Sequence, residues 1–348
     1  MTTVNSSLPL PCSMNEVDSF LAQPKAGTLE TLASLEGDVI VLGAGGKMGF
    51  HLSWMLKEGF RQLGKDNTVY AASRFRTLAG REAYERVGVK TLVGDFRDAA
   101  FVRSLPECPT VFYLVGAKFG TADNPGLLQQ MNVDVAAELA ERYAISRIVA
   151  LSTGCVYAYV PPDSGGSTED APRQPVGAYA FSCLGRERAF EAVSLRCGTP
   201  VTLIRLNYAV EFRYGVPVDI ALKVMNGEPV DVTMGYVNII WQNDALNQIV
   251  QALSVAASPP RPLNITGADI LSVRDLACCF GTLLGRKPRF VGEEAPTAWL
   301  SDASASHRLF GPPEVSVETM MRWIAAWIQR DGSTFHKPTG FERRDGNF

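Results

Sequence analysis

The sequence predicts an α/β protein, with a doubly wound parallel sheet and a smaller C-terminal lobe. Two observations lead to this prediction: short apolar runs alternate with helical patterns between residues 38 and 207, and that rhythm changes after residue 207. Apolar runs that are bounded by glycine and separated by helices are typical of parallel strands covered on both faces. Right-handed crossovers between such strands give a Rossmann-like sheet, whose ligands bind beyond the carboxyl ends of the strands.

The alternating region, residues 38–207, contains six predicted strands and five predicted helices. The strands are 38–42, 68–72, 89–93, 111–116, 146–152 and 201–206. The helices are 47–63, 78–87, 98–104, 125–143 and 179–195. Residues 1–37 are predicted to be a leader with short helices at 14–22 and 28–36, after a polar first dozen residues.

Residues 208–348 are predicted to form mainly a substrate-binding lobe, with segment 243–280 returning to the domain formed by 38–207. Residues 229–241 look extended, and 262–266 are predicted to be one more strand. The helices expected here are 216–226, 243–257, 273–284 and 315–329. Residues 330–348 are expected to be a polar tail.

Composition excludes several function classes. The chain has 348 residues, of which 46% are hydrophobic and 20% charged, so it can bury a large core. A net charge of −3 argues against nonspecific binding of nucleic acid. Three histidines and seven scattered cysteines indicate neither a metal site nor a disulfide framework. No apolar run approaches the roughly 20 residues of a membrane span, and no signal peptide is evident, so we expect a cytoplasmic protein.

The turn after the first strand is the most informative segment. Gly43, Gly46 and Gly49 follow one another at three-residue steps between a strand and a helix, and Gly45 is an additional glycine. The pattern is G-x-x-G-x-x-G, because Met48 stands where G-x-G-x-x-G needs its last glycine. Such a turn presents backbone N–H groups at a helix N-terminus and suits a pyrophosphate, although it can also be purely structural. The predicted cofactor-binding residues of the turn are Gly43, Gly45, Gly46, Lys47, Met48 and Gly49.

The end of the second predicted strand bears on the choice of cofactor. Ser73 and Arg74 follow this strand, and no acidic residue stands where NAD-selective proteins bind the adenosine ribose. Arg74 can pair with a 2′-phosphate and stack on adenine, which favours NADP over NAD; a solvated loop arginine is the alternative.

The ends of the next two strands supply further candidates. Asp95 and Phe96 follow the third strand, and Asp95 is placed either to accept a hydrogen bond from an adenine amino group or to cap the next helix. Val115, Gly116 and Ala117 follow the fourth strand, where small side chains let a ribose and a pyrophosphate approach the backbone.

Several short motifs follow one another along the chain: Gly43/Gly46/Gly49, Gly94-Asp95, Asn132-Val133, Ser152-Thr153 with Val156-Tyr157, Tyr179, and Leu203-Ile204-Arg205-Leu206-Asn207. In this order they resemble the motifs of the extended short-chain dehydrogenase/reductase family, of the NAD-dependent epimerase/dehydratase type. The resemblance covers most of residues 38–280. It implies that Thr153 and Tyr179 polarise a substrate hydroxyl or carbonyl while a nicotinamide exchanges hydride. It also implies a cofactor contact for Asn207 and a homodimer formed through helices 125–143 and 179–195.

The sequence departs from this family at one position. The family pattern is Tyr-x-x-x-Lys, whereas Cys183 follows Tyr179 at that spacing. Ionising a tyrosine of pKa near ~10 at neutral pH without help costs about 4 kcal/mol, or roughly a thousandfold in rate. Lys118, Arg186 or an oxidised nicotinamide could supply the missing positive charge, and Cys183 could itself act as a thiolate. The alternatives are that Cys183 only packs beside the ribose and that Arg186 lies on a solvated helix face.

These observations leave two classes of function. The first is an oxidoreductase or epimerase acting on a sugar, sugar acid or polyol-like small molecule. A 4,6-dehydratase is not expected, because Gly154-Cys155 replace the Asp-Glu that follows the threonine in family dehydratases. The second class is a non-catalytic dinucleotide sensor or interaction protein that has lost the catalytic lysine. Polar candidates in the substrate lobe are Asn207, Glu211, Arg213, Tyr214, Trp241, Lys287 and Arg289.

Overall fold

The centre of the protein is a seven-stranded, fully parallel sheet. The computed structural model describes residues 10–76, 80–118 and 125–346. The strands of the sheet are β1 (Val39–Leu42), β2 (Val69–Ser73), β3 (Lys90–Val93), β4 (Thr110–Tyr113), β5 (Arg147–Thr153), β6 (Val201–Leu206) and β11 (Arg261–Ile265). Their spatial order is β11-β6-β5-β4-β1-β2-β3, so β2 and β3 are added on one side of β1 and the later strands on the other, and the strand order switches between β1 and β4. The predicted doubly wound sheet is confirmed.

Helices cover both faces of this sheet. Alternate side chains of each strand point to opposite faces, and both sets are mainly apolar, so each face needs a covering layer. Val39 and Val41 of β1 pack in one core, and Ile40 and Leu42 pack in the other. The first core is covered by α2 (Ala26–Ala33), α3 (Gly49–Gln62), α4 (Arg81–Arg86) and α10 (Gln242–Gln251). The second core is covered by α5 (Ala99–Ser104), α7 (Val135–Arg142) and α8 (Gly177–Cys197).

A third core lies in the C-terminal lobe, around an aromatic cluster. Phe212 lies 5.0 Å from Trp241, and Trp241 lies 5.2 Å from Trp323, between ring centroids. The helices of this core are α1 (Met14–Leu21), α9 (Val216–Asn226), α11 (Val273–Leu284) and α13 (Val317–Gln329). The short strands of the lobe are β7 (Ala209–Val210), β8 (Pro229–Asp231), β9 (Tyr236–Val237), β10 (Ile240–Trp241), β12 (Leu271–Ser272) and β13 (Arg289–Val291).

Three element predictions need correction. Residues 229–241 form three short strands rather than one extended run, and helix α12 (Ser304–Phe310) and strands β12 and β13 were not predicted. The predicted strand 111–116 ends at Tyr113, and the predicted helix 125–143 consists of α6 (Pro125–Gln129), a π-helical segment (Gln130–Asp134) and α7. Parts of the predictions for residues 1–13, 78–87 and 330–348 lie outside the described residues.

The early end of β4 and the π-helical segment have a common cause. The side-chain amide of Asn132 accepts a hydrogen bond from the backbone N–H of Ala117 at 2.8 Å and donates one to the carbonyl of Ala117 at 2.9 Å. This amide takes the place of a neighbouring strand, so the chain after β4 leaves the sheet. The extra residue in the π turn brings Asn132 to that position, and local π turns are frequent at functional sites.

Buried charges join α8 to the strands beneath it. Glu187 is fully buried and pairs with Arg205, which is 3% exposed, at 2.9 Å. Glu187 also accepts a hydrogen bond from the Ser152 hydroxyl at 2.7 Å. A buried ion pair needs such additional hydrogen bonds to offset its desolvation. This pair therefore fixes the carboxyl end of β5, where Ser152 and Thr153 lie.

Among the helices of the described residues, none has both the length and the apolar character needed to cross a membrane.

Candidate functional site

Two adjoining cavities lie beyond the carboxyl ends of the strands, at the point between β1 and β4 where the strand order switches. The large cavity, of about 810 Å³, extends over the ends of β2, β3 and β4. The small cavity, of about 310 Å³, extends over the ends of β5 and β6. Both are lined by the glycine turn, and together they form one cleft. The residues that line both cavities are Gly43, Gly46, Lys47, Leu114, Lys118 and Tyr214.

Every residue proposed from the sequence to bind a cofactor lines this cleft. The large cavity contains Gly43, Gly45, Gly46, Lys47, Ser73, Arg74, Asp95, Phe96, Val115, Gly116 and Ala117. The small cavity contains Met48, Gly49 and Asn207, together with three proposed catalytic residues, Lys118, Thr153 and Tyr179. Their roles stay predictions, because the lining shows position only. The other two catalytic candidates, Cys183 and Arg186, lie outside both linings.

The glycines of the turn have different structural roles. Gly43 has a positive φ of 79°, and a Cβ there would lie 2.6 Å from the backbone N of Val115. A Cβ at Gly49 would overlap the carbonyl oxygen of Ala44. At Gly46 the nearest atom to an added Cβ is the carbonyl oxygen of Gly43, at 3.6 Å. Gly43 and Gly49 are therefore required by the packing of the turn, whereas Gly46 leaves space at the cleft, above the N-terminus of α3.

The side chain of Lys47 crosses the cleft, which the sequence did not indicate. Its Nζ donates to the carbonyl of Ala209 at 2.8 Å and lies 4.5 Å from the centre of the Tyr214 ring. Burial lowers the pKa of Lys47 to about 8, and the nearby Glu211 carboxylate opposes that shift. The glycine turn is thus connected to the segment that follows β6.

Charged side chains surround the far end of the large cavity. Asp95 accepts hydrogen bonds from the Arg97 guanidinium, the shortest at 2.6 Å, and the guanidinium of Arg74 lies 3.8 Å from the same carboxylate. The hydrogen bonds from Arg97 hold the pKa of Asp95 down, at about 2. The alternative role of Asp95 as a helix cap is wrong, since Asp98 caps α5 by accepting from the backbone N–H of Ala100.

Three polar side chains meet at the small cavity. Thr153 ends β5, is 9% exposed, and accepts a hydrogen bond from the backbone N–H of Cys155 at 3.2 Å. Tyr179 lies in the first turn of α8, and the Nζ of Lys118 lies 5.5 Å from the centre of its ring. Burial raises the pKa of Tyr179 well above its ordinary value and lowers that of Lys118. The phenol of Tyr179 is therefore protonated at neutral pH in this state.

Cys183 and Arg186 lie beneath the cleft. Cys183 is fully buried against Val156 and Tyr157, and burial raises the pKa of its thiol, so this site disfavours a thiolate. Arg186 is 6% exposed and donates to the carbonyl of Leu151 at 3.0 Å and to Oδ1 of Asn132 at 2.8 Å. The alternative of a solvated helix face for Arg186 is therefore wrong. Its buried positive charge acts on Tyr179 from within the protein and opposes the rise in the pKa of that phenol.

The sequence missed several residues that line the cleft. Arg76, Phe335 and Lys337 line the large cavity, and Thr339 lines the small one. Residues 335–339 belong to the segment predicted to be only a polar tail, and no local motif links them to the strand ends. Of the polar candidates in the substrate lobe, Asn207 and Tyr214 line the cleft, whereas Trp241 is fully buried in the C-terminal core. Glu211 and Arg213 form a buried ion pair at 3.1 Å, and Lys287 and Arg289 are exposed outside both linings.

Residues 39–210 match the sequence model of the family described as the NAD dependent epimerase/dehydratase family. A search of curated proteins finds no match. The fold is similar to those of several solved structures. MoeE5, in complex with UDP-glucose and NAD, is 22% identical, covers 85% of this chain and 100% of its own, and has a TM-score of 0.68.

Two further solved structures cover nearly the same share of the chain. The UDP-glucose 4-epimerase of Thermus thermophilus, in complex with NAD, is 19% identical over 84% of this chain and 99% of its own, with a TM-score of 0.69. DesIV, a dTDP-glucose 4,6-dehydratase from Streptomyces venezuelae with NAD bound, is 20% identical over 84% and 97%, with a TM-score of 0.72. Identities this low show a shared fold.

We expect alanine at Gly46 and alanine at Gly49 to have opposite effects. Gly49→Ala places a methyl group against the Ala44 carbonyl, and overpacking of this kind costs about 1–3 kcal/mol, so its Tm should fall. Gly46→Ala meets no atom closer than 3.6 Å, so its Tm should stay near that of the wild type. Its methyl group would project into the cleft, so if a dinucleotide binds there, the Kd for NAD⁺ or NADP⁺ should rise about tenfold or more. Thermal unfolding and calorimetric titration measure the two effects, and equal Tm losses in both variants would contradict this assignment.

Proposed function

We propose that this chain is a nicotinamide-dependent oxidoreductase or epimerase acting on a hydroxyl or carbonyl of a small, sugar-like molecule. The match of residues 39–210 to the model of the NAD dependent epimerase/dehydratase family supports this proposal. The observation that carries the proposal is that the hydroxyl-bearing side chains of Thr153 and Tyr179 line the same cavity as the glycine turn. That cavity continues into the large one, whose volume suits a bound nucleotide.

The residues of the cleft fit a dinucleotide in one orientation. The space at Gly46 and the N-terminus of α3 would hold the pyrophosphate, because backbone N–H groups and the helix dipole favour an anion there. Arg74 and Phe96 would lie at the adenosine end, and Thr153 and Tyr179 at the nicotinamide end. The nicotinamide supplies or accepts the hydride when it is bound.

The protein would contribute proton transfer and orientation. In the direction of reduction, hydride adds to the carbonyl carbon, and the protonated phenol of Tyr179 gives its proton to the carbonyl oxygen, which yields an alcohol. Thr153 would hold that oxygen by a hydrogen bond. Oxidation runs the same transfers in reverse, so Tyr179 must then exist as a phenolate.

We propose that Lys118 supplies the positive charge that Cys183 cannot. Its amine lies 5.5 Å from the centre of the Tyr179 ring and lines both cavities. Arg186 adds a second, buried positive charge, which also favours the phenolate form of Tyr179 by opposing the rise in its pKa. Two such charges offset part of the cost of about 4 kcal/mol for ionising a phenol at neutral pH.

The catalytic assignment predicts unequal losses of activity. Tyr179→Phe removes the proton donor and should lower kcat about 10²- to 10⁴-fold. Lys118→Met should lower kcat less and move the alkaline limb of the pH profile, whereas Lys118→Arg, which keeps the charge, should retain more activity. Absorbance at 340 nm measures turnover with NADH or NADPH and a panel of small sugars, sugar acids and their keto forms.

Lys90→Met, which removes an exposed lysine from β3, is the matched control and should leave the activity unchanged. If Tyr179→Phe and Lys118→Met both turn over at the wild-type rate, the assignment is refuted. Dinucleotide binding without turnover over the whole panel would instead favour the sensor, the alternative supported by Cys183 in place of lysine.

We propose a preference for NADP over NAD, supported by the charges at the far end of the large cavity. Arg74 and Arg76 both line it, and the carboxylate of Asp95 is already paired with Arg97. This end therefore presents excess positive charge to the position of a 2′-phosphate, and arginine binds phosphate in a bidentate manner.

Arg74→Asp should reduce affinity for NADP⁺ more than affinity for NAD⁺, by about tenfold in the ratio of the two Kd values. Calorimetric titration of both dinucleotides measures this ratio. Arg103→Asp, which makes the same change on exposed α5 outside the cleft, should leave it unaltered. A ratio that is unchanged in Arg74→Asp would refute the role of Arg74.

We propose a homodimer formed through the outer face of α8. Phe181 on this helix is 61% exposed. It borders a groove whose other lining includes Leu128, Val133, Leu184 and Gly185. An exposed aromatic side chain beside an apolar groove is typical of an interaction surface.

Light scattering during gel filtration should give twice the mass of the chain, and Phe181→Asp should shift it to the monomer mass. Ile145→Asp, at a position 91% exposed and outside the groove, is the control and should keep the dimer. A wild-type protein that elutes as a monomer at micromolar concentration would contradict this proposal.

A further inference from the structure

The last described residues form part of the cleft. We call residues 334–346 the C-terminal strap. Its first part contributes Phe335 and Lys337 to the lining of the large cavity, and Thr339 contributes to the lining of the small one. The strap then continues to the beginning of α8, where Gly346 lies against Gly177, two residues before Tyr179. It therefore passes along the whole cleft.

The strap is held at each stage of this path. The backbone N–H of Phe335 donates to the carbonyl of Arg213 at 3.1 Å. The N–H and hydroxyl of Thr339 both donate to Asp219 of α9 at 2.7 Å. Phe341 is 1% exposed in the C-terminal core, and Tyr159 donates to the carbonyl of Arg344 at 2.7 Å. These hydrogen bonds and the buried ring of Phe341 attach the strap to the C-terminal lobe, so it forms part of the wall of the site.

This wall limits the size of the substrate. The small cavity has about 310 Å³, near the lower end of the range of about 300–1,000 Å³ for small-molecule sites. The proposed function puts the nicotinamide end of the dinucleotide in that same space. Thr339, which is bonded to Asp219 of α9, forms part of the wall of this cavity. A cavity of this volume that also holds a nicotinamide is too small for a nucleoside diphosphate attached to the substrate.

The charges of the small cavity limit the chemistry of the substrate. Among the described residues that line it, none is Asp, Glu or His, and the charged side chains are those of Lys47 and Lys118. The carboxylate of Asp219 does not neutralise these two positive charges. It lies outside the lining of the cavity and accepts hydrogen bonds from the N–H and hydroxyl of Thr339. An ammonium group has three donors, and in the described part of the chain Lys47 uses one of them, toward Ala209.

We propose that the substrate is a small hydroxy acid that is not linked to a nucleotide, with its carboxylate held by Lys47 and its size limited by the C-terminal strap. This inference rests on the proposed function and narrows its substrate class. It separates this chain from its structural neighbours that are described with UDP-glucose or UDP-glucuronic acid bound.

The test uses the full chain saturated with NAD⁺ or NADP⁺, after a separate titration has shown that one of them binds. Calorimetry then compares glycerate, gluconate and glucuronate with the neutral molecules glycerol, glucitol and glucose, and with UDP-glucuronate. We expect at least one acid to bind about tenfold more tightly than its neutral counterpart, and UDP-glucuronate to bind no more tightly than glucuronate. The inference is overturned if UDP-glucuronate binds more tightly than glucuronate, or if no acid exceeds its neutral counterpart.

Failure of the dinucleotide titration would remove the proposed function and this inference together, whereas a preference for the UDP-linked acid would remove only the inference. Lys47→Met should raise the Kd of the preferred acid about tenfold, with a smaller effect on the dinucleotide, and Lys47→Arg should restore most of the affinity. Lys90→Met is the control for loss of a lysine. An equal loss for dinucleotide and acid in Lys47→Met would assign Lys47 to the dinucleotide and overturn its proposed role.

Discussion

The cleft depends on one interaction, the hydrogen bonding of the Asn132 side chain to the chain that leaves β4. Parallel strands that continue in register leave no crevice between them, so the backbone after β4 must separate from its neighbours and still have its N–H and C=O groups satisfied. Asn132 provides both partners through its amide, bonding to the N–H and the carbonyl of Ala117. The amide oxygen also accepts from Arg186, which in turn reaches the carbonyl of Leu151 on β5. The separation of β4 from β5 is thereby built into the buried core.

This arrangement places positive charge where the proposed chemistry needs it. Glu187, the next residue of α8, and Arg205 of β6 form a buried pair whose charges compensate each other. The hydrogen bonds of Arg186 in the described residues go instead to a carbonyl and an amide oxygen, and no ion pair of the described residues includes its guanidinium. A buried cation outside an ion pair costs free energy of folding. Its electrostatic influence is stronger inside the protein than in water, which favours any anion that forms at Tyr179.

The parts of the fold that depend on local pattern could be predicted from the sequence, and those that depend on distant contacts could not. The strand at 39–42 and the glycine turn were found because the apolar run and the glycine spacing are contained in a dozen residues. The direction of the Lys47 side chain depends on Ala209 and Tyr214, more than 160 positions away along the chain. The burial of Arg186 depends on Asn132, and the contribution of Thr339 depends on Asp219. None of these pairings leaves a periodic signal in the sequence.

The cysteine at position 183 is consistent with this distribution of charge. Positions 183 and 186 lie on the same face of α8, three residues apart, and both are buried. A lysine at 183 would place a second buried cation beside Arg186, at a site already closed by Val156 and Tyr157. A thiol at 183 is compatible with a buried Arg186, while the Nζ of Lys118, which lines both cavities, lies 5.5 Å from the centre of the Tyr179 ring. One rearrangement of positive charge around Tyr179 therefore explains three features together. These are the cysteine at position 183 in place of the lysine of the family pattern, the buried Arg186, and Lys118 after β4.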